Sequence, residues 1–251
     1  MNSPILLYVV LLLALVLTLV GATLASRSGI IQLRRIGAYN AMPLTVSEAV
    51  ESDRTLHVSY GSSGIAGASA ISAVAISEVL YPLAERAALA DRGALVTTSD
   101  PVTLALGQDT LRRAYKVRRA LAKYRPAMAR WYAQGPLSMA FAAGVGAAIL
   151  EEDVSTNILL GQFGAELAIM AENAIRYDRF VIAQSDRIEG QAVAYVLSDT
   201  PLIGEELYAA GAYLGRRPVQ IGGVLAQDII RILITLLILA LMFLAIAGAK
   251  F

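Results

Sequence analysis

Two long segments without a single charged side chain bracket this chain, and they constrain its architecture before any motif is read. Met1 to Ser26 contains no Asp, Glu, Lys or Arg, and Ile232 to Ala249 is equally free of charge. As helices, both are long enough to cross a hydrocarbon core of roughly 30 Å. The intervening residues carry nearly all the charge and read as a water-soluble domain. The expected division is a transmembrane helix over 1–26, a juxtamembrane linker over 27–53, an α/β domain over 54–226, and a second transmembrane helix with the C-terminus over 227–251. The first segment lacks a basic leader, and its apolar run from Ile5 to Ala25 exceeds a signal-peptide core, so it reads as a membrane helix.

Basic residues near the two segments predict orientation. Arg27, Arg34 and Arg35 follow the first, Arg216, Arg217 and Arg231 precede the second, and only Lys250 lies beyond. The positive-inside rule then puts the central domain in the cytoplasm and both termini outside. Within the segments, Gly21 and Ala25 are four residues apart, as are Ala245 and Ala249. Such spacing allows close helix contact and suggests self-association.

The middle is long enough for one sizeable core. With 21 basic and 20 acidic residues the net charge is +1, which argues against nucleic acid as a partner. Cysteine is absent, so disulfides, thiol catalysis and cysteine metal sites are excluded.

Short β-prone runs at Leu56–Tyr60, Ala94–Thr98, Met128–Tyr132, Asn157–Leu160 and Phe180–Ala183 alternate with longer Ala- and Leu-rich stretches. The latter cover Ile71–Leu89, Thr110–Lys123, Leu137–Leu150, Ala165–Tyr177, Ile188–Val196 and Glu205–Leu214. This alternation predicts a Rossmann-like α/β fold, a parallel sheet with helices on both faces, flanked by the two transmembrane helices. Before the first strand, Ile30–Ile36 has the pattern of a short amphipathic helix at a membrane surface.

Ligands of open parallel sheets bind beyond the carboxyl ends of the strands. The turns there contain Gly61, Ser62, Ser63 and Gly64, then Asp100, Gln134, Gln162 with Glu166, and finally Ser185 with Asp186. These ten residues are the candidate ligand-binding set, expected along one rim. Gly61-Ser62-Ser63-Gly64 can cradle an anion, or can simply be a tight strand-to-helix turn with a serine cap. It is neither a Walker loop nor a nucleophile elbow. His57, the only histidine, falls within the first strand and reads as structural, so no nucleophile–base pair is predicted. If chemistry occurs, Asp100 and Asp186 are the expected acid–base pair. The acidic runs Glu151-Glu152-Asp153 and Glu205-Glu206 lack the alternating oxygen ligands of a calcium loop, and neither metal nor cofactor is assigned.

Several stretches, among them Leu56–Gly64, Gly107–Tyr115, Ser185–Ala192, Thr200–Tyr208 and Ala226-Gln227-Asp228, together resemble an uncharacterised bacterial family of membrane-anchored proteins. The resemblance implies an inner-membrane domain and brings no catalytic residues. The resulting expectation is a membrane-anchored scaffold or small-ligand sensor, self-associating or bound to other chains of a membrane complex. The alternative is an enzyme or nucleotide- or sugar-binding module at the strand-end rim.

Overall fold

The computed structural model describes residues 3–28, 33–134 and 138–246. They form two compact units, residues 35–210 and the apolar ends 1–34 with 211–251.

The larger unit is built on a five-stranded parallel sheet: β1 (Thr55–Gly61), β2 (Ala94–Thr98), β3 (Ala129–Trp131), β4 (Val154–Gln162) and β5 (Phe180–Ala183). Its order is β3-β2-β1-β4-β5, so the chain moves one way from β1 and then returns to start again at β4. Every residue of β1 and β2 is buried, as parallel strands covered on both faces require. Helices α2 (Gly37–Glu51), α3 (Ala70–Ala87) and α4 (Pro101–Val117) pack in succession as one layer. A second layer follows with α5 (Met139–Glu151), α6 (Leu167–Arg176) and α7 (Ile188–Leu197). Phe141, Val145, Ile149, Leu159, Phe163, Met170 and Val181 form the core beneath that second layer.

The predicted strands are all present, and three differ at their ends. The helical segments depart further from expectation. The expected linker contains α2, which buries Ala38, Tyr39, Met42, Val46 and Ala49 at helical spacing. Ile30, Ile31 and Gln32 of the expected surface helix lie outside the described residues, and Leu33–Ile36 is not helical. Helix α4 begins at Pro101 rather than Thr110, because Asp100 accepts a hydrogen bond from the Thr103 amide at 2.7 Å and proline occupies the first turn. Glu205–Leu214 is a 3-10 turn, Gly204–Ala209, followed by the single helical turn α8 (Ala210–Tyr213). The glycines of α5 serve packing within the domain: Gly144 faces Tyr132 and Gly146 faces Asn173.

The other unit consists chiefly of α1 (Ser3–Ser28) and α9 (Pro218–Ile246). Among the described residues one helix, Pro218–Phe243, is long and apolar enough to cross a membrane; the shorter apolar run Val10–Ser26 belongs to α1. The two helices touch backbone to backbone. A Cβ on Gly222 would lie 2.4 Å from the Thr18 carbonyl oxygen and 2.5 Å from the Ala22 nitrogen, and one on Gly21 would lie 2.9 Å from the Gly222 Cα. Gly21, expected to serve association between chains, is thus buried against a helix of its own chain. Ala249 lies outside the described residues.

Candidate functional site

The strand order reverses between β1 and β4, and there the two glycine-bearing turns meet. Gly61 has φ +58° and Gly161 φ +115°, conformations that a side chain would strain. Between them the backbones are in close contact. A Cβ on Gly61 would approach the Gln162 carbonyl oxygen to 2.6 Å.

The serines of the first turn are consumed by this junction. Ser62 donates from its hydroxyl to the Gln162 carbonyl at 2.8 Å, and its amide donates to the same oxygen at 3.0 Å. Ser63 is fully buried and accepts from the Gln162 amide at 2.9 Å. The Gly64 amide is taken by the Ser69 hydroxyl at 3.0 Å. The two serine hydroxyls and the Gly64 amide are therefore engaged within the protein, sealing the junction of β1 and β4. On the other side of the junction, buried Glu166 accepts from the Gly164 amide at 2.8 Å and fixes the entry to α6.

Position in the sheet separates the remaining candidates. Asp100 follows β2 and Asp186 follows β5, three strand spacings away, or roughly 14 Å at ~4.8 Å per spacing. They do not face one reacting group as an acid–base pair would. Asp100 caps α4 and stands beside Gly64. Gln134, beyond the edge strand β3, is exposed and donates to the Ser138 hydroxyl at 3.2 Å.

Gln162, Ser185 and Asp186 come together with residues that no strand-end pattern points to. They border a groove of about 1020 Å³ whose opposite wall is α7 and the Gly204–Ala209 turn. Its floor is a linked polar set. Ser72, at the start of α3, donates to Asp186 Oδ2 at 2.5 Å and lies 3.1 Å from the Tyr208 hydroxyl. Gln184 donates to Asp186 Oδ1 at 3.0 Å while its own carbonyl accepts from the Gly161 amide at 3.2 Å. Ser185 is inward-facing, bridging the Phe163 carbonyl and amide. The lip is apolar: Ile188, Tyr195 and Val196 of α7 are 87%, 65% and 75% exposed. Gln184 directly follows β5 in the strand-end turn, whereas Ser72 and Tyr208 escape sequence reading because α3 and the 3-10 turn meet that turn only through the tertiary fold. The exposed apolar positions 188, 195 and 196 do leave a trace, since they share one helix face at i, i+7, i+8.

His57 does not approach this groove. Its Nδ1 pairs with Asn157 Oδ1 at 3.0 Å and its Nε2 with Thr97 Oγ1 at 2.9 Å, within the sheet. With an amide oxygen on one side, Nδ1 carries the proton and Nε2 accepts from the threonine hydroxyl. Burial, opposed by the Asn157 hydrogen bond and aided by the charge of Arg130, lowers its pKa to about 4. It is a neutral structural group with both ring nitrogens engaged inside the sheet. Residues 112–119 hold four arginines and a lysine; of these, Arg113 pairs with Asp109 at 2.9 Å and Arg118 with Glu85 at 3.1 Å. Among the described residues no group of three or more acidic or histidine side chains is arranged to hold a metal ion.

Fold and groove define an α/β module on a five-stranded parallel sheet, in a chain that also carries an apolar helix of membrane-spanning length. The chain belongs to the family described as a domain of unknown function (DUF6754), whose model matches residues 2–251. No curated protein and no solved structure matches it.

Proposed function

We propose that this chain is a membrane-anchored binding module, with the α/β domain taking a neutral or cationic amphiphilic ligand in the groove beyond β4 and β5. The observation that carries this reading is the Asp186 carboxylate, held by Ser72 and Gln184 at the polar floor of a groove with an apolar lip. Fixed acceptors at the base suit a hydroxyl or amine, and the exposed faces of Ile188, Tyr195 and Val196 suit an apolar body. Among the described residues Arg187 is the one cation lining the groove; it stands 3.5 Å from Glu189, and Asp186 and Glu205 leave the lining unfavourable to an anion.

The anchoring part of the proposal rests on α9, with α1 entering the same bilayer beside it. The domain then faces the cytoplasm of a bacterial cell, in keeping with the basic residues that flank both helices. Alkaline carbonate extraction tests the anchor, and release of the chain into the soluble fraction would refute it.

For the groove, the full chain in neutral detergent is screened by thermal shift against nucleosides, sugars, polyols and long-chain amines. A ligand that raises the melting temperature of wild type and fails to do so for Asp186→Asn is the expected result. No stabilisation by any of these classes would overturn the binding role.

A further inference from the structure

At the opposite end of the sheet, before the amino ends of β1 and β2, lies a cavity of about 360 Å³ with unusual charge. It is bordered by three arginines, Arg92, Arg125 and Arg130, and by two carboxylates, Asp91 and Glu152. Both carboxylates are already neutralised. Arg130 pairs with Glu152, and the Lys123 ammonium lies 2.7 Å from Asp91.

The other two arginines lack such compensation. Arg92 stands 4.0 Å from Asp153 Oδ2, and that carboxylate is shared: Arg54 and Arg179 each hold its Oδ1 at 3.0 Å. Its second tie is a 3.5 Å contact with the Glu152 carbonyl. Among the described residues Arg125 makes no ion pair. Asp53, a further carboxylate beside Asp91 and Arg92, is occupied by their amides at 3.2 and 3.3 Å. The ring therefore gathers more guanidinium and ammonium charge than its carboxylates offset, around an open concavity. Guanidinium forks match the oxygens of a phosphate group two at a time, and a bound dianion would relieve their mutual repulsion.

We infer that this cavity is a phosphate-binding site in which Arg92 and Arg125 hold a phosphomonoester or pyrophosphate group. Its volume sits at the small end of ligand pockets, room for the charged group and a short attached body. Two sources present this chemistry, a free phosphorylated metabolite and the headgroup of phosphatidic acid. The site is independent of the groove beyond β4 and β5, so either can fail without the other.

Isothermal titration of the full chain in neutral detergent tests the site. One arm uses inorganic pyrophosphate; the other compares mixed micelles containing phosphatidic acid with micelles containing phosphatidylcholine. The expected result is binding that weakens at least tenfold in the Arg92→Gln/Arg125→Gln double variant. Both side chains are exposed, so the melting temperature without ligand should stay at the wild-type value. Glu152→Gln, which frees Arg130, is expected to tighten binding several-fold. Binding of pyrophosphate identifies the soluble source, and binding confined to phosphatidic acid micelles identifies the lipid. Heat from neither probe, or binding that the double variant leaves unchanged, would overturn the proposal.

Discussion

Gly161 and Ser63 compete for one volume: with φ at +115°, a Cβ on Gly161 would lie 2.4 Å from the Ser63 hydroxyl oxygen. That oxygen also receives the Gln162 amide at 2.9 Å. The junction of β1 and β4 is held closed by this arrangement. Gly161→Ala must therefore strain the backbone and displace the serine together, at a cost of about 2–4 kcal/mol. Ser63→Ala leaves the half-buried Gln162 amide unpaired and costs about 1 kcal/mol. Chemical denaturation followed by circular dichroism measures both. Wild-type stability in Gly161→Ala would mean that the two turns are not in contact.

How much of this was legible before the fold was known depends on whether a feature is local. Gly61 and Gly161 announce themselves because positive φ at a strand end favours glycine, and the alternation of elements predicts the parallel sheet. Strand order is not local. Nothing near Asp100 or Asp186 says that β1 and β4 lie between their strands, and the pairing expected of them fails on that distance. Helix α2 was readable from the spacing of Ala38, Met42, Val46 and Ala49, but its nearness to the apolar segment made it look like linker. The Asp100-Pro101 start of α4 likewise carries a capping signal that a strand-end turn imitates. The groove floor was beyond sequence reading, since Ser72 and Asp186 are 114 residues apart.

Asp100 provides a direct contrast with Asp186. As the cap of α4, it should lose about 1 kcal/mol of domain stability when changed to alanine. Binding in the groove beyond β5 should be unaffected, because Asp100 does not border it. Thermal melts and ligand titrations on Asp100→Ala measure the two effects separately. Loss of groove binding at unchanged stability would reverse the assigned roles.

Gly222 and its neighbour make a matched pair in the apolar unit. A Cβ at Gly222 would collide with Thr18 and Ala22 of α1, whereas one at Gly223 would meet nothing within 4 Å. Gly222→Ile should force α1 and α9 apart and lower the melting temperature of the helical signal in detergent by several degrees. Gly223→Ile should leave it close to wild type. Equal effects of the two substitutions would contradict the helix contact.

His57 makes stability depend on pH in a defined direction. Its pKa falls from an ordinary 6.5 to about 4 in the folded chain, chiefly because burial disfavours the imidazolium. Above pH 6.5 both folded and unfolded chains hold it neutral, and the full stability is present. As pH drops from 6.5 towards 4, the unfolded chain takes up the proton while the folded one does not. Stability should then fall by up to about 1.4 kcal/mol per pH unit, about 3 kcal/mol across the window, with no further loss from this group below it. His57→Gln removes the titration while retaining polar atoms for Asn157 and Thr97. Carboxylates titrate in the same range in both proteins, so the difference between their urea midpoints from pH 7.5 to 4.5 isolates the histidine. The variant should be less stable at pH 7.5 and should close the gap on acidification; parallel curves would show that His57 is not held neutral in the sheet.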